Sequence, residues 1–382
     1  MKILLSANTS KEIIARKKLL KKLLEKGHSL YAVCSLNEKD VPLMKELNIE
    51  YFSIKIKPRE KNPLNDIKLF LTYKKLFKQI SPDVVLSYNI KPNIYGAMAT
   101  KALGINIIAN ITGLGKIFDR DSLTQKLVCK LYRNAFNFDK CFVFFQNNDD
   151  RLLFLNKHII RNEKETDVLP GSGVDLNFFN PKSIQSPKAQ KGIVEFSFLG
   201  RLMISKGLRL FIEAANIVSK KHETCVFNIA GGYIDGDPDF IQKEELEKAT
   251  QNKAIIYYGQ VEDVRTFLAE HTDCVVFPSY YREGVPRVLL EAASMAKPLI
   301  ASDSVGTREP CKDGENGFLV KPNDVDDLAK KMIAFLALDE KEKEEMGIAS
   351  RNIAQTSFSD EIVIEKYLSK IEHISKENIQ KD

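Results

Sequence analysis

Short apolar runs alternate with longer amphipathic stretches from one end of the chain to the other, and this alternation restricts the possible folds more than any other feature. Strand-length runs fall at 2–6, 30–34, 51–56, 84–87, 106–111 and 140–145, and again at 194–199, 225–230, 254–258, 274–277, 298–301 and 318–320. Helical patterns fill most intervals: 11–26, 66–80, 94–103 and 122–137, then 207–220, 244–252, 264–270 and 287–296. Parallel neighbours need a crossover connection, and a helix is the usual one. The expected class is therefore α/β, with parallel sheets covered by helices on both faces. A chain of 382 residues is too long for one core. The polar segment 181–191, with its Ser, Gln, Pro and Lys, is the expected linker between doubly wound domains at 1–180 and 192–359. The stretch 360–382 follows the second sheet and is expected to pack back on the first domain.

Several function classes are disfavoured at once. The first strand runs into "SANTSKE", with neither a GxGxxG turn nor a phosphate-loop lysine, and no GxSxG elbow occurs. Six scattered cysteines without a CxxC pair read as reduced thiols, and five histidines form no close pair, so no metal site is expected. The cluster Asp235, Asp237 and Asp239 in "YIDGDPDF" reads as a capping loop rather than a cation site. No apolar run approaches the ~18–20 residues of a membrane helix. "MKILLSANTSKE" turns polar too soon for a signal peptide and reads as a first strand.

Charge is unevenly spread. Residues 1–180 hold 30 Lys and Arg against 18 Asp and Glu, a balance of +12; the remainder, 27 against 33, stands at −6. Such a basic half suits an anionic partner: a membrane surface, a phosphorylated acceptor or nucleic acid. It also suits a merely solvated surface. In the pattern at 11–26, Leu19, Leu20, Leu23 and Leu24 share one face, and Lys17, Lys18, Lys21, Lys22 and Lys26 the other. That basic face is either solvated or laid near anionic headgroups.

The second half carries the chemistry. In "FLGRLMISKGL", Gly200 permits a tight turn after a strand, and Arg201 and Lys206 sit near a helix start. A diphosphate suits that place: a planar fork, a point charge and the helix end's partial charge all favour it. Gly231 closes the next strand and allows close backbone approach, and Gln260 and Val261 follow the one after. "EGVPRVLLE" then places Glu283 before, and Glu291 inside, a helix beginning near Pro286. On a continuous helix the two carboxylates would be ~12 Å and ~80° apart, too far for an acid/base dyad. They are better spaced to grip two parts of one extended ligand, with a diphosphate between them.

Taken together, "GRLMISKG", "EGVPRVLLEA" and "DGENGFLV" resemble glycosyltransferase family 4, whose members are retaining, nucleotide-sugar-dependent enzymes of the GT-B fold. "NIKPNIYGAMATKALGI", "NITGLGKIF", "VFFQNNDDRLLF" and "LPGSGVDLNFF" extend the resemblance to a bacterial subgroup that elongates undecaprenyl-diphosphate-linked saccharides of O-antigens, capsules and N-linked glycans. The resemblance implies two Rossmann-like domains facing across a cleft. It implies that Glu283 contacts the donor sugar, Glu291 the ribose, and Arg201 and Lys206 the diphosphate, with the backbone of Gly284, Val285, Pro286 and Arg287 nearby. Thr112, Gly113, Leu114 and Gly115 correspond to an acceptor-side loop, and Lys91 and Asn93 are further acceptor-side candidates. Asn8 and Thr9 are acceptor-side candidates as well, standing where many relatives have glycine or an aromatic, and Pro310 and Cys311 also depart from the common pattern.

The implied partners are a UDP-sugar co-substrate, a polyprenyl-diphosphate-linked saccharide and an anionic membrane surface, with no nucleic acid, metal or cofactor. The implied location is the cytoplasmic face of the inner membrane. Two other readings stay open: a nucleotide-sugar epimerase of the same fold, and a non-catalytic sugar-nucleotide or membrane-binding module.

Overall fold

A computed structural model of the chain describes residues 1–58, 60, 62–118, 122–184 and 192–379. It divides into two compact units, Met1–Leu169 with Ile362–Asp382, and Pro170–Glu361. In the first, β1 (Lys2–Thr9), β2 (Ser29–Ser35), β3 (Glu50–Ser53), β4 (Val84–Tyr88), β5 (Asn106–Ile111), β6 (Cys141–Phe145) and β7 (Thr166–Val168) form a sheet of order β3-β2-β1-β4-β5-β6-β7. All its pairings are parallel. In the second, β8 (Val194–Leu199), β9 (Cys225–Ala230), β10 (Ile255–Tyr257), β11 (Cys274–Phe277), β12 (Leu299–Ser302) and β13 (Gly317–Val320) are ordered β10-β9-β8-β11-β12-β13, again parallel throughout. The winding reverses between β1 and β4 and between β8 and β11. A crevice opens at such a reversal, beyond the carboxyl ends of the strands.

Central strands are buried on both faces, which is why they read as unbroken apolar runs: β4, β5 and β11 have no exposed residue. The first sheet is covered by two layers. Helices Pro63–Ile80, Ala97–Leu103 and Leu123–Phe136 pack on one face through Leu69, Tyr73, Phe77, Cys129 and Tyr132. The helix Lys17–Glu25 and the C-terminal helix Asp360–Ile379 pack on the other through Leu20, Leu23, Tyr367 and Ile371. Tyr367 accepts a hydrogen bond from Asn110 Nδ2 at 2.7 Å, tying the last helix to β5.

Three expectations change. The helix expected at 11–26 is broken into Ser10–Ile14 and Lys17–Glu25. At the break the Arg16 guanidinium lies 3.6 Å from the Tyr88 ring centroid and donates to the Glu12 carbonyl, so side-chain bonding replaces a helical turn. The strand β7 was not among the expected runs; three residues hold strand geometry through pairing with β6. The chain enters the second unit at Pro170, ahead of the expected linker at 181–191, of which 185–191 lie outside the described residues. Residues 170–180 belong to the second unit because their backbone polar groups are satisfied there. Arg351 donates to the carbonyls of Leu176 and Phe179, Ser294 Oγ donates to the Phe179 carbonyl, and Val174 bridges Ser359.

Candidate active site

Lys206 and Glu283 meet at the reversal point of the second sheet. Lys206 closes the short turn Ile204–Lys206 after β8, and Glu283 lies in the loop after β11. The amides of Tyr280 and Tyr281 both donate to the Ser205 carbonyl, at 3.2 and 3.1 Å, so the second loop is hung on the first. Across this link Lys206 Nζ donates to Glu283 Oε1 at 2.8 Å, with only 13% and 14% of the two side chains exposed. The ammonium also sits 5.3 Å from the Phe277 ring centroid. Two glycines make the arrangement possible. Gly207 has φ +84°, and a Cβ there would stand 2.1 Å from the Pro278 carbonyl oxygen. Gly306 has φ +80°, and its Cβ would stand 1.8 Å from the carbonyl oxygen of Gly284. Both positions combine the left-handed backbone with a contact no side chain fits.

The rest of the floor is backbone. Gly200 N donates to the Ala230 carbonyl at 3.0 Å, Gly231 N to the Gly259 carbonyl at 2.8 Å, and Tyr257 Oη to the Gly231 carbonyl at 3.0 Å. Gln260 is exposed, and Val261 packs against the core. Arg201 is exposed, and its guanidinium makes no hydrogen bond to the described residues. The aspartate loop is a turn: Asp239 N donates to Asp237 Oδ1 at 2.9 Å.

Pro286 is the N-cap of helix Arg287–Ser294, so Glu283 lies off the helix and the separation calculated for a continuous helix does not apply. Val285 and Pro286 are buried, and Arg287 begins the helix. Glu291 pairs with Arg287, at 3.3 Å, rather than with the cation held by Glu283. The two glutamates thus answer to different cations and form no dyad. Burial raises the Glu291 carboxyl above its ordinary value, against the opposing pull of Arg287.

In the first unit the corresponding reversal holds a polar constellation that the sequence reading only touched. Asn8 N donates to Asn89 Oδ1 at 3.1 Å, and Asn89 Nδ2 donates to Glu12 Oε1 at 3.3 Å. Glu12 Oε2 also accepts from Thr9 N at 2.7 Å, capping the helix that follows. Glu12 and Asn89 were missed because nothing periodic marks them. Asn89, with φ +73°, is one of six described non-glycine residues with positive φ, and an asparagine after a strand is the only signal it leaves.

Beside it, Lys91 Nζ binds Asp66 Oδ1 at 2.8 Å. Asn93 is buried in a π-helical turn, Pro92–Gly96, accepting from Ser87 Oγ at 2.7 Å and donating to the Asn110 carbonyl at 2.8 Å. Its amide is therefore committed within the fold. Thr112 and Gly113 follow β5 and are half-buried, while Leu114 and Gly115 are buried.

Two family profiles match the chain: "Glycosyl transferase 4-like" over residues 2–147 and "Glycosyl transferases group 1" over residues 180–353. The chain belongs to the glycosyltransferases of this two-domain family. Its glycosyltransferase fold is GT-B. An Anabaena protein solved with UDP, Alr3699/HepE, superposes with TM-score 0.75 at 18% identity, over 98% of this chain and 100% of that one. This glycosyltransferase is also 25% identical, over 94% of its length and 95% of the relative's, to the N,N'-diacetylbacillosaminyl-diphospho-undecaprenol alpha-1,3-N-acetylgalactosaminyltransferase of Campylobacter jejuni. It is 27% identical, over 71% and 70%, to the UDP-Gal:alpha-D-GlcNAc-diphosphoundecaprenol alpha-1,3-galactosyltransferase of Escherichia coli.

Proposed function

We propose that this glycosyltransferase moves a hexose or N-acetylhexosamine from a UDP-sugar to a hydroxyl of a polyprenyl-diphosphate-linked saccharide, with retention at the anomeric carbon. The observation that carries the reading is the Lys206–Glu283 pair at 2.8 Å, held at the reversal of the second sheet. It puts an anion-binding group and a hydroxyl acceptor side by side, as a sugar diphosphate demands. The names of the Campylobacter and Escherichia relatives, both of which act on diphospho-undecaprenol saccharides, support the acceptor class.

In this reading the bond from the anomeric carbon to the diphosphate oxygen breaks, and one to the acceptor oxygen forms on the same face. The acceptor proton passes to an oxygen of the departing UDP. Charge gathers on the diphosphate as the bond breaks. Lys206 and Arg201, aided by the amides at the start of helix Arg287–Ser294, stabilise that charge more than the ground state. Glu283 accepts from a donor-sugar hydroxyl and Glu291 from the ribose. Asn8, Thr9 and the 112–115 loop serve the acceptor. The reaction needs no metal ion, and its place is the cytoplasmic face of the inner membrane. Among the described residues no helix is long and apolar enough to cross a membrane.

The test is a screen of UDP-sugars against a short-chain polyprenyl-diphosphate saccharide, with and without a chelator, reading released UDP and the anomeric configuration of the product. Acceptor-dependent UDP release with retained configuration and no chelator effect is expected. Epimerised UDP-sugar formed without acceptor, or donor binding without turnover across the panel, would overturn the reading.

A further inference from the structure

The C-terminal helix Asp360–Ile379 crosses the first sheet near its edge and leaves a groove there. Strand β7 is three residues long and pairs only with β6, so little sheet lies beyond the helix. Phe142 and Phe144 alternate along β6 and so share a face, and Asp167 stands opposite Phe144 on β7. That face is the one the helix covers: the Phe144 ring centroid lies 5.0 Å from that of Tyr367 and 5.1 Å from that of Phe142. Beside the helix, the two phenylalanines and Asp167 form the floor of an open groove of about 590 Å³.

One stripe of the helix forms the wall. Lys366, Ser369, Lys370 and His373 recur at the i, i+3, i+4, i+7 spacing that puts side chains on one face. All four can donate hydrogen bonds. Lys366 is committed in part, to Asp167 Oδ2 and the Val168 carbonyl, each at 2.8 Å. His373 Nε2 stands 3.1 Å from a carboxylate oxygen of Glu377. Lys370, by contrast, is half-buried, and among the described residues it has neither a hydrogen bond nor a salt bridge. Its ammonium lies 4.2 Å from the Phe142 ring centroid. Burial lowers its pKa, against the opposing pull of Glu377. Glu365 also lines the groove, but it lies ~140° around the helix from Lys370. An ammonium drawn from water without a counter-ion favours an arriving anion.

We propose that this groove binds a small phosphate monoester with an aromatic body, the phosphate on Lys370, Ser369 and His373 and the ring against Phe142 and Phe144. A phosphate ester brings three acceptor oxygens and about 1.5–2 negative charges. That matches one uncompensated ammonium beside a hydroxyl and an imidazole better than the two oxygens and single charge of a carboxylate. The groove has more room than a bare phosphate fills, and its floor beyond the donors is aromatic, which suits an offset or edge-on ring. All the residues concerned belong to the first unit, whereas Lys206 and Glu283 belong to the second, and the proposal does not depend on the transfer reaction.

The test is calorimetric titration of the full chain with phenyl phosphate, beside inorganic phosphate and benzoate. Saturable binding of phenyl phosphate is expected, tighter than that of either comparator by roughly tenfold or more. Lys370→Met keeps an apolar stem on Phe142 and removes the charge. It should weaken binding about 10–150-fold, at an unchanged or higher melting temperature. Ser369→Glu, at an exposed position, should also abolish binding by bringing a carboxylate to the wall. Lys206→Met, in the second unit, should leave phenyl phosphate binding as it is. Absence of saturable binding, or wild-type affinity in both Lys370→Met and Ser369→Glu, would overturn the proposal. So would loss of binding in Lys206→Met alone, since the probe would then sit among the donor residues. Equal affinity for inorganic phosphate or for benzoate would overturn the ligand class, because the groove would then choose neither the ring nor the phosphate.

Discussion

Replacing Lys206 by Met, alone and together with Glu283→Gln, separates what the ion pair does for the fold from what it does for the reaction. The pair is short, at 2.8 Å, and both side chains are nearly covered. Removing only the lysine takes from the Glu283 carboxylate its 2.8 Å ammonium partner in a poorly solvated place. Losing such a charge-assisted hydrogen bond costs about 1.5–3 kcal/mol. In a unit of this size that lowers the melting temperature by roughly 3–12 °C. In the double variant neither an ammonium nor a carboxylate is stranded, so stability should return to within about 1 kcal/mol of wild type.

Activity should behave otherwise. If Lys206 bears on the departing diphosphate, either variant loses a contact worth about 1.5–3 kcal/mol, or roughly 10–150-fold in kcat/KM. The assay is acceptor-dependent UDP release beside thermal unfolding of the same preparations. Recovery of kcat/KM in step with melting temperature in the double variant would refute the argument and make the pair a structural staple.

Gly306→Ala should move the backbone of the donor loop, because the new Cβ would stand 1.8 Å from the Gly284 carbonyl oxygen and 2.6 Å from that of Glu283. UDP affinity by calorimetry should fall at least tenfold, on the order of the 1.4 kcal/mol that such a shift forfeits; unchanged affinity would show that the loop does not touch the nucleotide. Glu291 has a carboxyl raised by burial, so the folded chain holds its proton to higher pH than the unfolded chain does. Stability therefore falls as pH rises from the ordinary glutamate value through the raised one. Glu291→Gln should abolish that slope in melting temperature and, by losing a ribose acceptor, weaken UDP binding; a variant that keeps the slope would clear Glu291 of it.

The strands were the most legible part of the molecule. Every apolar run read as a strand is one, because residues buried on both faces leave an uninterrupted signal, as in β4 and β11. Thr166–Val168 left no such signal, since an edge strand takes its geometry from the strand beside it. The break at Arg16 was equally hidden: it answers to Tyr88, on another strand. For the site, residue types in "GRLMISKG" and "EGVPRVLLE" pointed to a diphosphate and a sugar, but not to each other. Asn93 illustrates the opposite case, a polar residue after a strand whose amide is used up inside the fold by Ser87 and Asn110.

By itself the sequence determined the α/β class, the two parallel sheets and the segments that carry anion- and hydroxyl-binding groups. Those follow from local periodicity and from side-chain chemistry, which neighbours along the chain are enough to express. Only the tertiary structure decided that Lys206 meets Glu283 across 77 residues, that Glu291 answers to Arg287, and that Gly306 exists to clear Gly284. It alone also laid Lys370 on the Phe142 ring. Each of these depends on which loops and faces the winding of the sheets brings together or leaves uncovered, and that is a property of distant pairs of residues rather than of any one stretch.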